Sequence, residues 1–134
     1  MTKSIDVVRE IYAAFEGGDM ERVFGLLDED IAWIEPAGYW VSPGGVRGLA
    51  EVERTLAAYP ERWTENVLEP ETFLEAGDHV VVLGGQHGTA RETGRSYRGR
   101  FANVWLVRDG KAVSFEAFSD TALMWKALGG MPAA

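Results

Sequence analysis

The stretch SYRGRFANVWLVRDGKAVSFEAFS, from Ser96 to Ser119, decides the fold. It holds two runs with the aromatic and β-branched residues of strands, Ser96 to Arg108 and Lys111 to Ser119. Between them lies Asp109-Gly110, the signature of a tight hairpin, because both central residues of such a turn take positive φ. On the first run Phe101, Asn103, Trp105 and Val107 share one face and alternate with Ala102, Val104 and Leu106. Both faces are apolar, so this strand is expected to be buried on two sides.

Working back toward the N-terminus, Val80 to Ala90 and Thr64 to Glu75 read as two further strands. Ala76-Gly77-Asp78 and Thr93-Gly94 mark turns. Before about residue 60 the period changes from strand to helix. Ile5, Val8, Tyr12 and Phe15 recur at helical spacing, with Ile11 beside them, over Ser4 to Glu16. Ser4 is the expected N-cap, and Gly17-Gly18 ends that helix. Asp19 caps a second helix through Leu27. Ile31 to Glu35 reads as a short strand stopped by Pro36, and Tyr39 to Gly45 as a loop. A third helix runs from Val46 or Leu49 to Tyr59, ended by Pro60. A last helix covers Thr121 to Leu128. The whole predicts one α+β domain over residues 1–134. Its strongly curved antiparallel or mixed sheet forms a cone-shaped barrel, with three N-terminal helices on the concave face. The open mouth of such a cone is a natural small-molecule site.

Composition narrows the function. The chain has 134 residues, enough for one core. Thirteen Lys and Arg against 21 Asp and Glu give a net charge of −8, which argues against a nucleic-acid binder. The absence of cysteine excludes disulfide, thiol and iron–sulfur chemistry. The longest strongly apolar run, Val80 to Leu83, is too short for a bilayer. The start, Met1-Thr2-Lys3-Ser4-Ile5-Asp6, has no apolar signal core, so a cytoplasmic location is expected. There is no phosphate loop, dinucleotide fingerprint or Gly-x-Ser-x-Gly elbow. His79 and His87 are eight apart with no His-x-x-x-His, so no metal or cofactor is expected.

Several further stretches resemble the SnoaL-like polyketide cyclase family, within the nuclear transport factor 2-like superfamily. They are Ile11-Tyr12-Ala13-Ala14-Phe15-Glu16-Gly17-Gly18-Asp19, Leu26-Leu27-Asp28-Glu29-Asp30-Ile31-Ala32-Trp33 and Glu35-Pro36-Ala37-Gly38. Toward the end come Val107-Arg108-Asp109-Gly110-Lys111 and Phe118-Ser119-Asp120-Thr121. The resemblance spans roughly residues 4–128. Ketosteroid isomerases, scytalone dehydratases and limonene epoxide hydrolases share that superfamily, so the fold alone does not name a reaction.

The resemblance implies site residues. Asp120 stands where SnoaL-like cyclases and limonene epoxide hydrolases carry a catalytic Asp; it also stands where it could cap the last helix. Glu35, before Pro36-Ala37-Gly38, stands where ketosteroid isomerases hold an Asp base. A carboxylate facing an apolar cavity has its pKa raised, which suits proton transfer near neutral pH. Asn103 falls near the second, protonated Asp of ketosteroid isomerases. Its structural alternative is a buried amide bonded to backbone. The tyrosine of that oxyanion site is matched by Ile11, with Tyr12 one residue off and expected to point elsewhere. His87 is the only histidine placed for the histidine-centred chemistry of scytalone dehydratases. The epoxide hydrolase pattern lacks its second Asp on Arg98 to Asn103. Trp33, Trp40, Tyr12, Trp105, Phe118 and Asn103 are the candidate substrate-binding residues. Arg91, Arg95, Arg98 and Arg100 read as a solvated hairpin rather than a gate for anions.

If Asp120 faces the cavity, period two puts Phe118, Glu116 and Ser114 inward with it and turns Val113, Phe115 and Ala117 outward. An apolar outer face needs a cover, and a homodimer through the sheet is the expected one. The expected activity is cofactor-independent isomerisation, cyclisation or elimination on an apolar or aromatic carbonyl compound. The alternative is a non-enzymatic ligand-binding or dimerisation domain of the same fold.

Overall fold

The computed structural model describes residues 3–132. The elements are α1 (Ser4–Glu16), α2 (Met20–Gly25), β1 (Leu27–Ile34), β2 (Val46–Arg47), α3 (Leu49–Ala57), α4 (Tyr59–Arg62), β3 (Trp63–Ala76), β4 (His79–Ala90), β5 (Ser96–Arg108), β6 (Lys111–Ser119) and α5 (Thr121–Leu128). One six-stranded sheet has the order β2-β1-β6-β5-β4-β3. All neighbours are antiparallel except β1 and β6, which run parallel. The fold is α+β with a mixed, curved and unclosed sheet.

The hairpin stretch forms β5 and β6 with the expected ends, and Asp109 takes a φ of 51° in the turn. Asp19 caps α2 by accepting from the Arg22 backbone N–H, while Ser4 lies inside α1 and Lys3 is its N-cap residue. Three further points differ from the sequence reading. β1 starts at Leu27, four residues early, and its acidic Asp28, Glu29 and Asp30 mask the strand signal. Val46 starts no helix; with Arg47 it forms the short β2 against Ala32 and Trp33. Pro60 lies in the first turn of the one-turn α4 rather than ending α3.

Two apolar clusters build the core. The larger joins Val7, Val8, Ile11 and Tyr12 of α1 to Ile31, Trp33, Val80, Val82, Trp105 and Phe115 of the sheet. The smaller joins Tyr39, Trp63, Tyr97 and Met124 at the other end. Gly84 is needed where it stands: a Cβ there would lie 2.8 Å from the Phe101 ring. The helices cover one face of the sheet. The opposite face, carrying Phe118 and the half-buried Leu83 and Ala102, has no helix across it among the described residues, and Phe118 is 50% exposed. Among the described residues no helix is long and apolar enough to cross a membrane.

Candidate active site

Between the helices and the sheet lies a cavity of about 280 Å³. Its position follows from side-chain size along the strands. Trp33, Phe115 and Trp105 stand level on β1, β6 and β5. Their rings meet at centroid distances of 4.1 Å for Trp33–Phe115 and 4.6 Å for Trp105–Phe115. This is an aromatic floor. One step further along the same faces, β6 offers only Ala117, paired with Asn103 of β5. Carried one residue past Ile34 and Glu116, the β1 register sets Glu35 level with Ala117 on its other side. The small Ala117 therefore leaves an opening with a carboxylate on one flank and an amide on the other.

Glu35 is 3% exposed. Its Oε1 accepts a 2.8 Å hydrogen bond from Trp33 Nε1. Burial pushes its carboxyl from 4.5 up to about 7, and the Trp33 bond only partly opposes this. No Lys, Arg or His is among the described residues lining the cavity, and burial and the Trp33 bond alone set the shift. Burial, reinforced by the Glu35 charge, pushes Tyr39 up to about 12; Tyr59 moves the same way. Their hydroxyls lie 3.0 Å apart.

Opposite Glu35, Tyr12 Oη accepts from Asn103 Nδ2 at 2.9 Å and from Trp105 Nε1 at 3.1 Å. A phenol oxygen receiving two N–H donors keeps its own proton for a third partner. The helical offset that turned Tyr12 away is thus corrected. α1 buries Ile11 and Tyr12 together, and the long tyrosine side chain reaches the sheet.

The structure brings Glu35, Asn103, Tyr12, Trp33 and Trp105 to one cavity. It does not bring Asp120, His87, Phe118 or Trp40 there. Asp120 is exposed and accepts from the Leu123 backbone N–H as the N-cap of α5. Faces on β6 are accordingly reversed: Phe115 and Ala117 turn inward, Glu116 and Phe118 outward. His87 sits on the outer face, 3.6 Å from Glu69 Oε1. Trp40 packs behind the cavity, edge-on to Tyr59 at 4.9 Å and to Trp63 at 6.0 Å. The four arginines are pinned: Arg91 to Pro60 O, Arg95 to Lys126 O, Arg98 to Glu69 and Arg100 to Glu71. Replacing Asp120 by Ala is expected to cost about 1 kcal/mol, the worth of a lost helix cap. Urea unfolding checks this; a loss above about 3 kcal/mol would point to more than a cap.

Sequence reasoning missed Tyr39, Tyr59, Asn66, Gln86 and Phe101. For Gln86 a signal existed: it shares the inward register of Val80, Val82 and Gly84 on β4, where a polar residue must find partners. It donates to Asn66 Oδ1 at 3.5 Å, an oxygen that also accepts from Tyr97 Oη at 2.8 Å. Among the described residues no three His, Asp or Glu side chains converge as metal ligands.

A nuclear transport factor 2-like protein of unknown function from Burkholderia pseudomallei K96243 is 36% identical to this chain. The match covers 96% of this chain and 98% of that one, with a TM-score of 0.87. A nuclear transport factor 2-like protein from Burkholderia thailandensis E264 is 33% identical over 96% of this chain and 98% of that one, with a TM-score of 0.91. TerC, co-crystallised with polyporic acid, is 29% identical over 96% of this chain and all of its own (100%), with a TM-score of 0.86. The SnoaL-like domain model matches residues 8–115. With the same curved sheet, the same helical cover and that match over most of its length, the chain belongs to the SnoaL-like family of the nuclear transport factor 2-like superfamily.

Proposed function

We propose that this protein moves a proton at a carbon next to a carbonyl, on an apolar cyclic or aromatic substrate, with Glu35 as general base and then acid. The observation that carries this is the setting of Glu35: a carboxyl held near 7 by burial, on the wall of an apolar cavity, bonded to no cation. A binding module would be expected to expose or ion-pair that group. A pure scaffold would fill the cone with its own aromatics. TerC's co-crystallisation with polyporic acid supports a small organic ligand for the fold.

The step balances simply. The Glu35 carboxylate takes the carbon's proton, and the C–H electron pair moves into a new carbon–carbon double bond. The carbonyl oxygen takes the negative charge and accepts a hydrogen bond from Tyr12 O–H. Asn103 and Trp105 hold the Tyr12 oxygen and ease charge on it. Protonated Glu35 then returns the proton, to a different carbon in an isomerisation or to a departing group in an elimination. No step uses Asp120 or His87.

The test is hydrogen–deuterium exchange at the α-carbons of 2-tetralone, followed by proton NMR from pH 5 to pH 9. Catalysed exchange is expected to rise with pH and level off above an inflection near 7, because only ionised Glu35 accepts the proton. Exchange no faster than in buffer, with this and other cyclic ketones, would refute the reading.

In this reading the protein works as a homodimer through the outer face of the sheet. Leu83, Ala102 and the half-exposed Phe118 lie together there. Phe118→Glu is expected to leave a monomer in sedimentation velocity at micromolar concentration. A wild-type monomer, or a variant that still pairs, would remove this element.

A further inference from the structure

Three buried side-chain atoms have no hydrogen-bond partner among the described residues: Trp40 Nε1, Trp63 Nε1 and Asn103 Oδ1. The two tryptophans do not line the cavity; Asn103 does, and it is 4% exposed. An orphaned buried acceptor costs free energy unless a ligand or a trapped water serves it. Beside it stands the complementary orphan. Tyr12 Oη already receives Asn103 Nδ2 and Trp105 Nε1, so its own proton is uncommitted. Asn103 and Tyr12 are joined by a 2.9 Å bond, so the free acceptor and the free proton are neighbours. Together they match a group that accepts one hydrogen bond and donates another. A neutral hydroxyl does both with one oxygen. A bare carbonyl or an ether satisfies Tyr12 and leaves Asn103 Oδ1 unserved. A carboxylate leaves it unserved and adds charge where no cation lines the wall.

We propose that the Tyr12–Asn103 end of the cavity is a hydroxyl-recognition subsite, selecting the phenol or enol form of a planar ring compound over its ketone or ether analogue. The inference rests on the cavity being the ligand site of the proposed function. It adds the form of the ligand that the site favours. It concerns binding only and requires no proton transfer. The aromatic floor of Trp33, Phe115 and Trp105 supplies the sequence-blind part of the affinity, common to all three compounds. Asn103 then acts as a specificity residue.

Tryptophan fluorescence titration of the wild-type protein with 2-naphthol, 2-methoxynaphthalene and 2-tetralone tests this directly, since Trp33 and Trp105 line the cavity. 2-Naphthol is expected to bind about tenfold or more tighter than the other two, the effect of one buried acceptor served or left bare. Equal or tighter binding of 2-tetralone would overturn the proposal and would mean that the Asn103 amide is turned round, presenting its N–H groups. Failure of 2-naphthol to bind would overturn it as well. In Asn103→Leu the preference is expected to shrink to within about threefold. The wild-type comparison decides even if that variant does not fold. Exchange and binding preference, both read on the wild-type protein, separate this inference from the proton-transfer reading. A retained preference without exchange in the wild type would sink the catalytic role and leave the subsite. Exchange without a preference would do the reverse.

Discussion

Glu35→Gln is expected to lower the exchange rate of 2-tetralone by about 10²- to 10⁴-fold, the usual worth of a positioned general base. The amide fits the same space and cannot take the proton. The same variant is expected to be more stable than the wild type at pH 8. The sign follows from linkage. A carboxyl raised from 4.5 to about 7 binds its proton more tightly in the folded state than in the unfolded state. Stability therefore falls as pH rises from the unfolded value through about 7, and stays low above it. A shift of that size amounts to roughly 3 kcal/mol. Glutamine carries no such cost, so its advantage is expected at pH 8 and absent at pH 4. Urea unfolding at both pH values reads it. A variant that loses both exchange and stability at pH 8 would mark Glu35 as a structural residue.

Trp105→Ala is expected to be the most damaging single core change, costing about 3–5 kcal/mol. Trp105 is 1% exposed and meets the rings of Tyr12, Trp33 and Phe115 at 5.8, 5.9 and 4.6 Å. Its loss opens the floor and removes one of the two donors to Tyr12. Against a total stability of about 5–15 kcal/mol, that is roughly a fifth or more of what holds the domain together. The melting temperature is expected to drop by on the order of 10 °C. A loss below about 1.5 kcal/mol would show that neighbouring side chains close the gap, and the cavity would then have no fixed floor.

The parts of the fold legible in sequence are those with strong local chemistry. Asp109-Gly110 defines the ends of β5 and β6, and Asp120 the start of α5. β2 was hidden because a two-residue strand exists only through its pairing with β1. The family resemblance singled out Glu35 and Asn103, and both line the cavity. The faces of β6 were not legible. Anchoring them on Asp120 reversed every residue, since a strand's side chains alternate strictly. The bulge that places Val113 outside the regular β5–β6 register adds to this, because no sequence pattern announces it. Tyr12 was a candidate for substrate binding, but its hydroxyl's place beside Asn103 escaped for a related reason. Its neighbour Ile11 is also buried on α1, so helical angle alone could not separate a core residue from a cavity residue.

The parallel pairing of β1 with β6 has a consequence for the chain as it leaves the ribosome. β1 is complete by residue 34, yet its long-range partner spans Lys111–Ser119. Until those residues emerge, β1 has only the two-residue β2 beside it, too little for an independent sheet. The N-terminal helices likewise wait for strands to cover. Folding is therefore expected to wait for β6 and to be governed by distant contacts, hence slow for the chain's size. The carboxylate that arrives early in synthesis is among the last groups to leave water. A nascent chain halted before Lys111 should hold Glu35 as an ordinary acid and be cut readily by protease.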